Sequence, residues 1–199
     1  MKATELLETQ HRKMEDLFSE LEDGRSNLLE ELANNLAAHM TIEQEIFYPA
    51  VSSINSSTIA ESFEEHAIAE MSLKRLLNTK PEEESFSARL SVLKELVRLH
   101  VHEEEAELFP EVDQDLAEAR LAELGEQMKA RFDEAMDEGY ERLLPGGFDE
   151  TSSDRALTGD GTGRDEPARE RAGRTAHKAK GSLRKRTHRK RSASARSHR

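Results

Sequence analysis

Residues 39–49 read HMTIEQEIFYP, and residues 100–110 read HVHEEEAELFP. Both begin at a His, carry Glu four residues later and close on an aromatic residue followed by Pro, ten residues after the His. On an α-helix, positions four apart lie one turn above each other on one face. His39 with Glu43, and His100 with Glu104, can therefore aim an imidazole nitrogen and a carboxylate oxygen at one point. The same step occurs upstream of each segment, at His11/Glu15 and His66/Glu70. Four of the five His in residues 1–149 carry it, and with 28 Glu in that region chance gives this on the order of one time in a hundred at random i,i+4 spacing. The pattern calls for a physical cause.

The surroundings of the His supply one. His11 lies in the stripe Leu7, Met14, Phe18, and His39 in Leu32, Leu36, Ile42, Ile46. His66 has Ile59, Phe63, Ala69 and Leu73 around it, and His100 has Leu93, Leu96 and Val97. These are core-facing positions of amphipathic helices. A charged Glu one turn from a buried His is costly without a partner. A metal ion bound between helices supplies that partner.

Helical periodicity fills most of residues 4–142, and the fold expected is all-α, an up-down-up-down four-helix bundle. The first helix runs from about Thr4 to Asp23 and stops at Asp23-Gly24. The second runs from about Ser26 to Tyr48, ended by Pro49. Thr58 with Glu61 forms a capping box for a third, reaching about Asn78. The fourth starts near Ser85 or Ser87 and runs to Phe109, stopped by Pro110. A fifth segment, roughly Glu111 to Arg142, has a stripe of Leu121, Leu124, Met128, Phe132 and Met136 without His, fit to cover one side of the bundle or a partner chain. The two His-to-Pro segments and their upstream pairs make the bundle a helical hairpin repeated twice, with one metal held largely by each half. The domain is placed at residues 1–145. Residues 146–199 lose apolar content and read as a disordered basic tail.

Composition narrows the chemistry. The 199 residues contain no Cys, which excludes disulfides, thiolate ligands and Cys nucleophiles. No run approaches the ~18 apolar residues of a membrane span, nor does the start resemble an export signal, so a cytoplasmic protein is expected. The net charge of −12 is uneven: residues 1–149 carry 14 Lys+Arg against 35 Asp+Glu, residues 150–199 carry 15 against 6. From Arg171 onward there are twelve Lys/Arg and no acid, densest in KGSLRKRTHRKR at 180–191. A non-specific nucleic acid or another polyanion is the expected partner of residues 171–199, unless the tail is merely solvated or folds back on the acidic bundle.

The order His, His-x-x-x-Glu, His, His-x-x-x-Glu, with aromatic-Pro after each Glu, resembles the hemerythrin-like (HHE) cation-binding domain over about residues 4–142. The resemblance implies a non-haem di-iron centre in a four-helix bundle. It implies terminal ligands at His11, His39, His66 and His100, and bridging carboxylates at Glu43 and Glu104. Members that carry oxygen reversibly have a fifth His one turn after the third, where this chain has Glu70. The pattern is closer to bacterial-type members with four His and two or more Glu, linked to peroxide, nitric oxide or iron handling. Glu15 and Glu70 are either further ligands, acceptors that orient the imidazoles, or a solvated acidic face. Independently of the resemblance, a mixed imidazole–carboxylate set larger than four and free of thiolate suits Fe, or Mn, better than closed tetrahedral Zn. Only Glu8/His11 has the Glu-x-x-His spacing of ferritin-like sites, which excludes that class. His102, about 200° round the helix from His100, is expected outside the site.

Three functions are consistent with this pattern. The first is a di-iron protein that binds or reduces oxygen, hydrogen peroxide or nitric oxide. The second is a sensor or iron buffer without turnover. The third acts through the basic tail on nucleic acid.

Overall fold

The structure, a computed structural model, describes residues 1–144. The stretch assigned to a separate tail, 146–199, lies outside the described residues. Eight α-helical segments follow in order: α1 (Ala3–Glu22), α2 (Leu29–Ile42), α3 (Tyr48–Val51), α4 (Ser56–Leu77), α5 (Glu84–Glu103), α6 (Phe109–Asp115), α7 (Glu118–Glu138) and α8 (Tyr140–Leu143). Two π segments, Glu43–Phe47 and Glu104–Leu108, join α2 to α3 and α5 to α6. Among the described residues there is no strand, and no helix is long and apolar enough to cross a membrane. Helices α1, α2, α4 and α5 form the expected bundle: α1 packs on α2 and α5, and α4 on α2 and α5.

The local signals account for most of the ends. After α1, Gly24 at φ 93° closes a C-terminal turn in which Gly24 N–H donates to Leu21 O and Arg25 N–H to Glu20 O. A left-handed residue is needed there, and Gly adopts it without steric cost. Helix α4 begins one turn earlier than the Thr58/Glu61 pattern indicates. Asn55 is its cap and accepts from Thr58 N–H at 3.2 Å. Both Pro residues read as helix ends are passed through. Each π segment starts at a Glu of the motif and closes with an i→i+5 bond, Tyr48 N–H to Glu43 O and Phe109 N–H to Glu104 O. Pro49 and Pro110 then sit in the first turn of a new α segment, where a missing N–H removes nothing.

The fifth segment is broken where neither Gly nor Pro marks it. Leu116 and Ala117 are extended, and partly buried Leu116 packs on the core while the chain turns back. Helix α7 then lies against α1 and α2, burying Leu121, Leu124 and Met128. Its Gly125 faces the chain start so closely that a Cβ would stand 2.3 Å from the Met1 carbonyl oxygen.

The core is divided in two. One apolar cluster holds Met14, Phe18, Leu36, Leu73 and Leu93, and the other Leu7, Ile42, Phe47, Ile59 and Leu108. On α1, α2 and α4 the His lies between residues of the first cluster and residues of the second, and after His100 on α5 the second cluster is reached at Leu108 of the π segment. The imidazoles and carboxylates thus form a polar layer with apolar packing above and below it.

Candidate metal centre

Six of the residues singled out by spacing meet in this layer. His11, His39, Glu43 and Glu104 bring one donor atom each to within 4.8 Å of one another, as do Glu43, His66 and His100. All six are buried, with Glu43 and Glu104 at 0% exposure. The Nε2 atoms point inward. His39 Nε2 lies 3.2 Å and His66 Nε2 3.3 Å from Glu43 Oε2, while His11 Nε2 lies 3.4 Å and His100 Nε2 3.6 Å from Glu104 Oε2. His66 and His100 approach each other at 3.1 Å between Nε2 atoms. Each half of the repeat therefore pairs its own two imidazoles, and the carboxylates lie between the halves.

Glu15 and Glu70 stand apart from both groups. Glu15 is exposed and reaches Lys94 at 3.5 Å. Glu70 is partly buried and pairs with Lys74. The inward steps along each helix explain the difference. On α1 the buried series is Leu7, His11, Met14, Phe18, and on α4 it is Ser62, His66, Ala69, Leu73. The step after the His is three residues, so Met14 and Ala69 face inward and the next residue turns about 100° aside. After His39 both Ile42 and Glu43 are buried, after His100 the next buried residue is Glu104, and four residues further on Phe47 and Leu108 are buried. Two successive steps of four drift about 80° from the axis in a regular helix, and the wider π turn takes up that drift.

The residues that orient the imidazoles are sequence neighbours of the motif. The Nδ1 atoms of His11, His39 and His100 lie 2.8 Å from Glu105 Oε1, Gln10 Oε1 and Glu65 Oε2, and His66 Nδ1 lies 2.9 Å from Gln44 Nε2, the amide nitrogen. Tyr48 also enters the site. Its hydroxyl donates to Glu104 Oε1 at 2.9 Å and lies 3.3 Å from His66 Nε2. None of these five was singled out from sequence. For Gln10, Gln44, Glu65 and Glu105 the signal is only adjacency to the spaced His and Glu, and for Tyr48 it is the aromatic place before Pro49. His102 is exposed, as its angle requires, and Phe63, expected in the core, is 41% exposed with its ring edge against Tyr48.

Electrostatics divides the layer. Burial, then the charges of the other three imidazoles, holds His39 well below the usual histidine range. Burial and His100 bring His66 down to about 3. Burial and the neighbouring Glu104 push Glu43 well up. At Glu104 burial acts upward, but His100, His11 and His66 outweigh it and hold the carboxyl at about 2. The layer is also unsatisfied: Glu43 Oε1 and Oε2, Glu104 Oε2, and Nε2 of His11 and His39 are buried with no hydrogen-bond partner. A buried polar atom without a partner costs about 1–3 kcal/mol, so five converging on one place mark a site built for a cation. Mixed imidazole and carboxylate donors fit such an ion.

The hemerythrin HHE cation binding domain model matches residues 2–112, which include every donor named above. The chain belongs to this family. A crystal structure of an HHE domain-containing protein from Mycobacterium kansasii is similar with a TM-score of 0.64 and 29% identity, over 74% of this chain and 95% of that one. An uncharacterized protein of Mycobacterium tuberculosis is 26% identical over 141 residues, 67% of this chain and 87% of the relative. A protein of Nostoc sp. named DNA nickase is 26% identical over 136 residues, 65% of this chain. The match spans only 39% of that relative's length. In this HHE domain the family's cation chemistry and the buried His/Glu layer coincide.

Proposed function

We propose that this HHE domain holds two iron ions and that the pair binds or reduces a small oxidant: oxygen, hydrogen peroxide or nitric oxide. The observation that carries the proposal is the set of five buried donor atoms left without partners. His11, His39, Glu43 and Glu104 are the residues to hold one ion, and Glu43, His66 and His100 the other. Iron supplies one-electron redox chemistry and coordination positions for a small ligand, with manganese the alternative for the same donors.

The chain's own residues set what can react. The second donor group has three members against four in the first, so an ion held there would have fewer protein donors. A cavity of about 10 Å³ adjoins the layer, lined by His39, His66 and His100 along with Met14, Leu36, Met40 and Val97. It has room for a water-sized guest and excludes an organic substrate. The Tyr48 hydroxyl holds a proton against Glu104 Oε1 and lies 3.3 Å from Nε2 of His66, which lines that cavity. A larger cavity of about 260 Å³ between α1 and α5 runs from Arg12, Arg98 and His102 to His11 and Glu105, a route toward the layer from outside.

Anaerobic loading with ferrous iron, followed by absorption spectra under oxygen, peroxide and nitric oxide, tests the proposal. New ferric or nitrosyl bands on an iron-loaded chain support it, and an iron-free chain sinks it. Steady-state peroxide consumption then separates turnover from a sensor or iron buffer, which consumes almost none. A second reading rests on the twelve Lys/Arg without acids from Arg171 onward and on the DNA nickase name of one relative. Binding to phosphates by that tail is salt-sensitive and sequence-independent. A DNA mobility shift at two salt concentrations, with and without residues 150–199, decides it.

A further inference from the structure

The four holders of the imidazoles follow the internal repeat. Gln10 precedes His11 on α1 and holds His39 on α2, and Gln44 follows Glu43 and holds His66 on α4. Glu65 precedes His66 on α4 and holds His100 on α5, and Glu105 follows Glu104 and holds His11 on α1. Round the ring, each helix orients the imidazole of the next. The repeat thus matches Gln10 with Glu65 and Gln44 with Glu105: the same place and the same Nδ1 target, with a neutral amide in the first half and a carboxylate in the second.

This difference falls in a regular way on the donors. His11 and His100, backed by carboxylates, are the two beside Glu104, and His39 and His66, backed by amides, are the two beside Glu43. Each donor group contains one imidazole of each kind. The charges also stand where water offsets part of their desolvation: the side chains of Glu65 and Glu105 are 25% and 39% exposed, whereas Gln10 is buried. A carboxylate that accepts Nδ1–H draws the proton toward itself and makes Nε2 a stronger electron donor, which favours the more highly charged state of a bound ion. An amide fixes the ring without that charge.

We infer that Glu65 and Glu105 are positioning residues that lower the reduction potential of the metal pair, one acting on each ion, while Gln10 and Gln44 orient only. This rests on the metal reading above. Glu65→Gln and Glu105→Gln keep side-chain size and an acceptor oxygen, so the imidazoles stay in place. The test is a mediated redox titration of the iron-loaded full chain, with iron counted in every sample. Each variant is expected to lose about tenfold in ferric-over-ferrous preference, the scale of lost outer hydrogen-bond partners, which raises the midpoint by about 59 mV for a one-electron step. The double variant shifts further, and Gln44→Glu shifts downward. Midpoints that stay at the wild-type value in iron-retaining variants overturn the inference. If a Glu→Gln variant loses its iron, Gln44→Glu decides, and its midpoint must fall. A wild-type chain that takes up no iron overturns the metal assignment itself, a result read before any variant is compared.

Discussion

At the scale of single residues the site is a contest between burial and charge. Among the described residues the Tyr48 hydroxyl donates to Glu104 at Oε1. In Tyr48→Phe that buried oxygen loses its donor, and the metal-free protein is expected to lose about 1–3 kcal/mol in a urea titration. Acid acts through the imidazoles. His66 is held down to about 3 and His39 well below its ordinary 6.5, both mainly by burial. Below pH 6.5 an unfolded chain protonates both while the folded one does not, so stability falls with falling pH. Glu43 and His100, both pushed up, His100 by the neighbouring Glu104 and Glu65 against its burial, bind their protons earlier in the folded chain and oppose this. Below pH 6.5 the unfolded chain protonates His100 as well and that opposition fades. His39 and His66 together then outweigh Glu43, so the metal-free protein is expected to become less stable from about pH 6 to about pH 5, between the ordinary His and carboxylate pKa values. Thermal melts across that window check the sign, and a melting point that rises on acidification contradicts it.

At the scale of elements the inward steps decide which carboxylates serve. Because Met14 and Ala69 occupy the inward positions after His11 and His66, Glu15→Ala and Glu70→Ala are expected to leave bound metal unchanged, whereas Glu43→Ala removes it. Metal counts on the three variants settle this, and loss of metal from Glu15→Ala or Glu70→Ala contradicts it. Gly125 belongs to the same scale. In Gly125→Ala the added methyl meets the Met1 carbonyl at 2.3 Å, so the chain start and α7 must separate. A lowered melting temperature is expected despite the better helix propensity of Ala. Much of this was legible in the sequence. The four His, Glu43 and Glu104, the four bundle helices and the Gly24 stop follow from spacing and stripes. The three-residue steps to Met14 and Ala69 were also readable, but Ile42 stands three residues after His39 in the same way, so that step alone does not separate Glu15 and Glu70 from Glu43. The π segments were not readable, since Pro49 and Pro110 look the same whether a helix ends there or restarts. Nor were Gln10, Gln44, Glu65 and Glu105, because an outer partner is chosen by which helix packs beside it.

At the scale of the molecule, two apolar clusters enclose a layer that is unsatisfied until it is filled. Folding and metal binding are therefore linked: an ion that binds the folded chain alone adds about 2.7 kcal/mol at a free concentration one hundred times its Kd. Chelation is expected to lower the melting temperature, and readdition of ferrous iron to restore it; equal melting temperatures with and without chelator contradict that linkage. The same layer joins the two halves of the repeat, because Glu43 from the first lies with His66 and His100 from the second. Removing one imidazole from each half isolates this claim. Iron per chain, counted after anaerobic loading of the wild type and of the His39→Ala/His100→Ala variant, is the most direct test. Two irons are expected in the wild type and none held tightly in the variant, with both chains still helical by circular dichroism. Equal iron in the two proteins contradicts it.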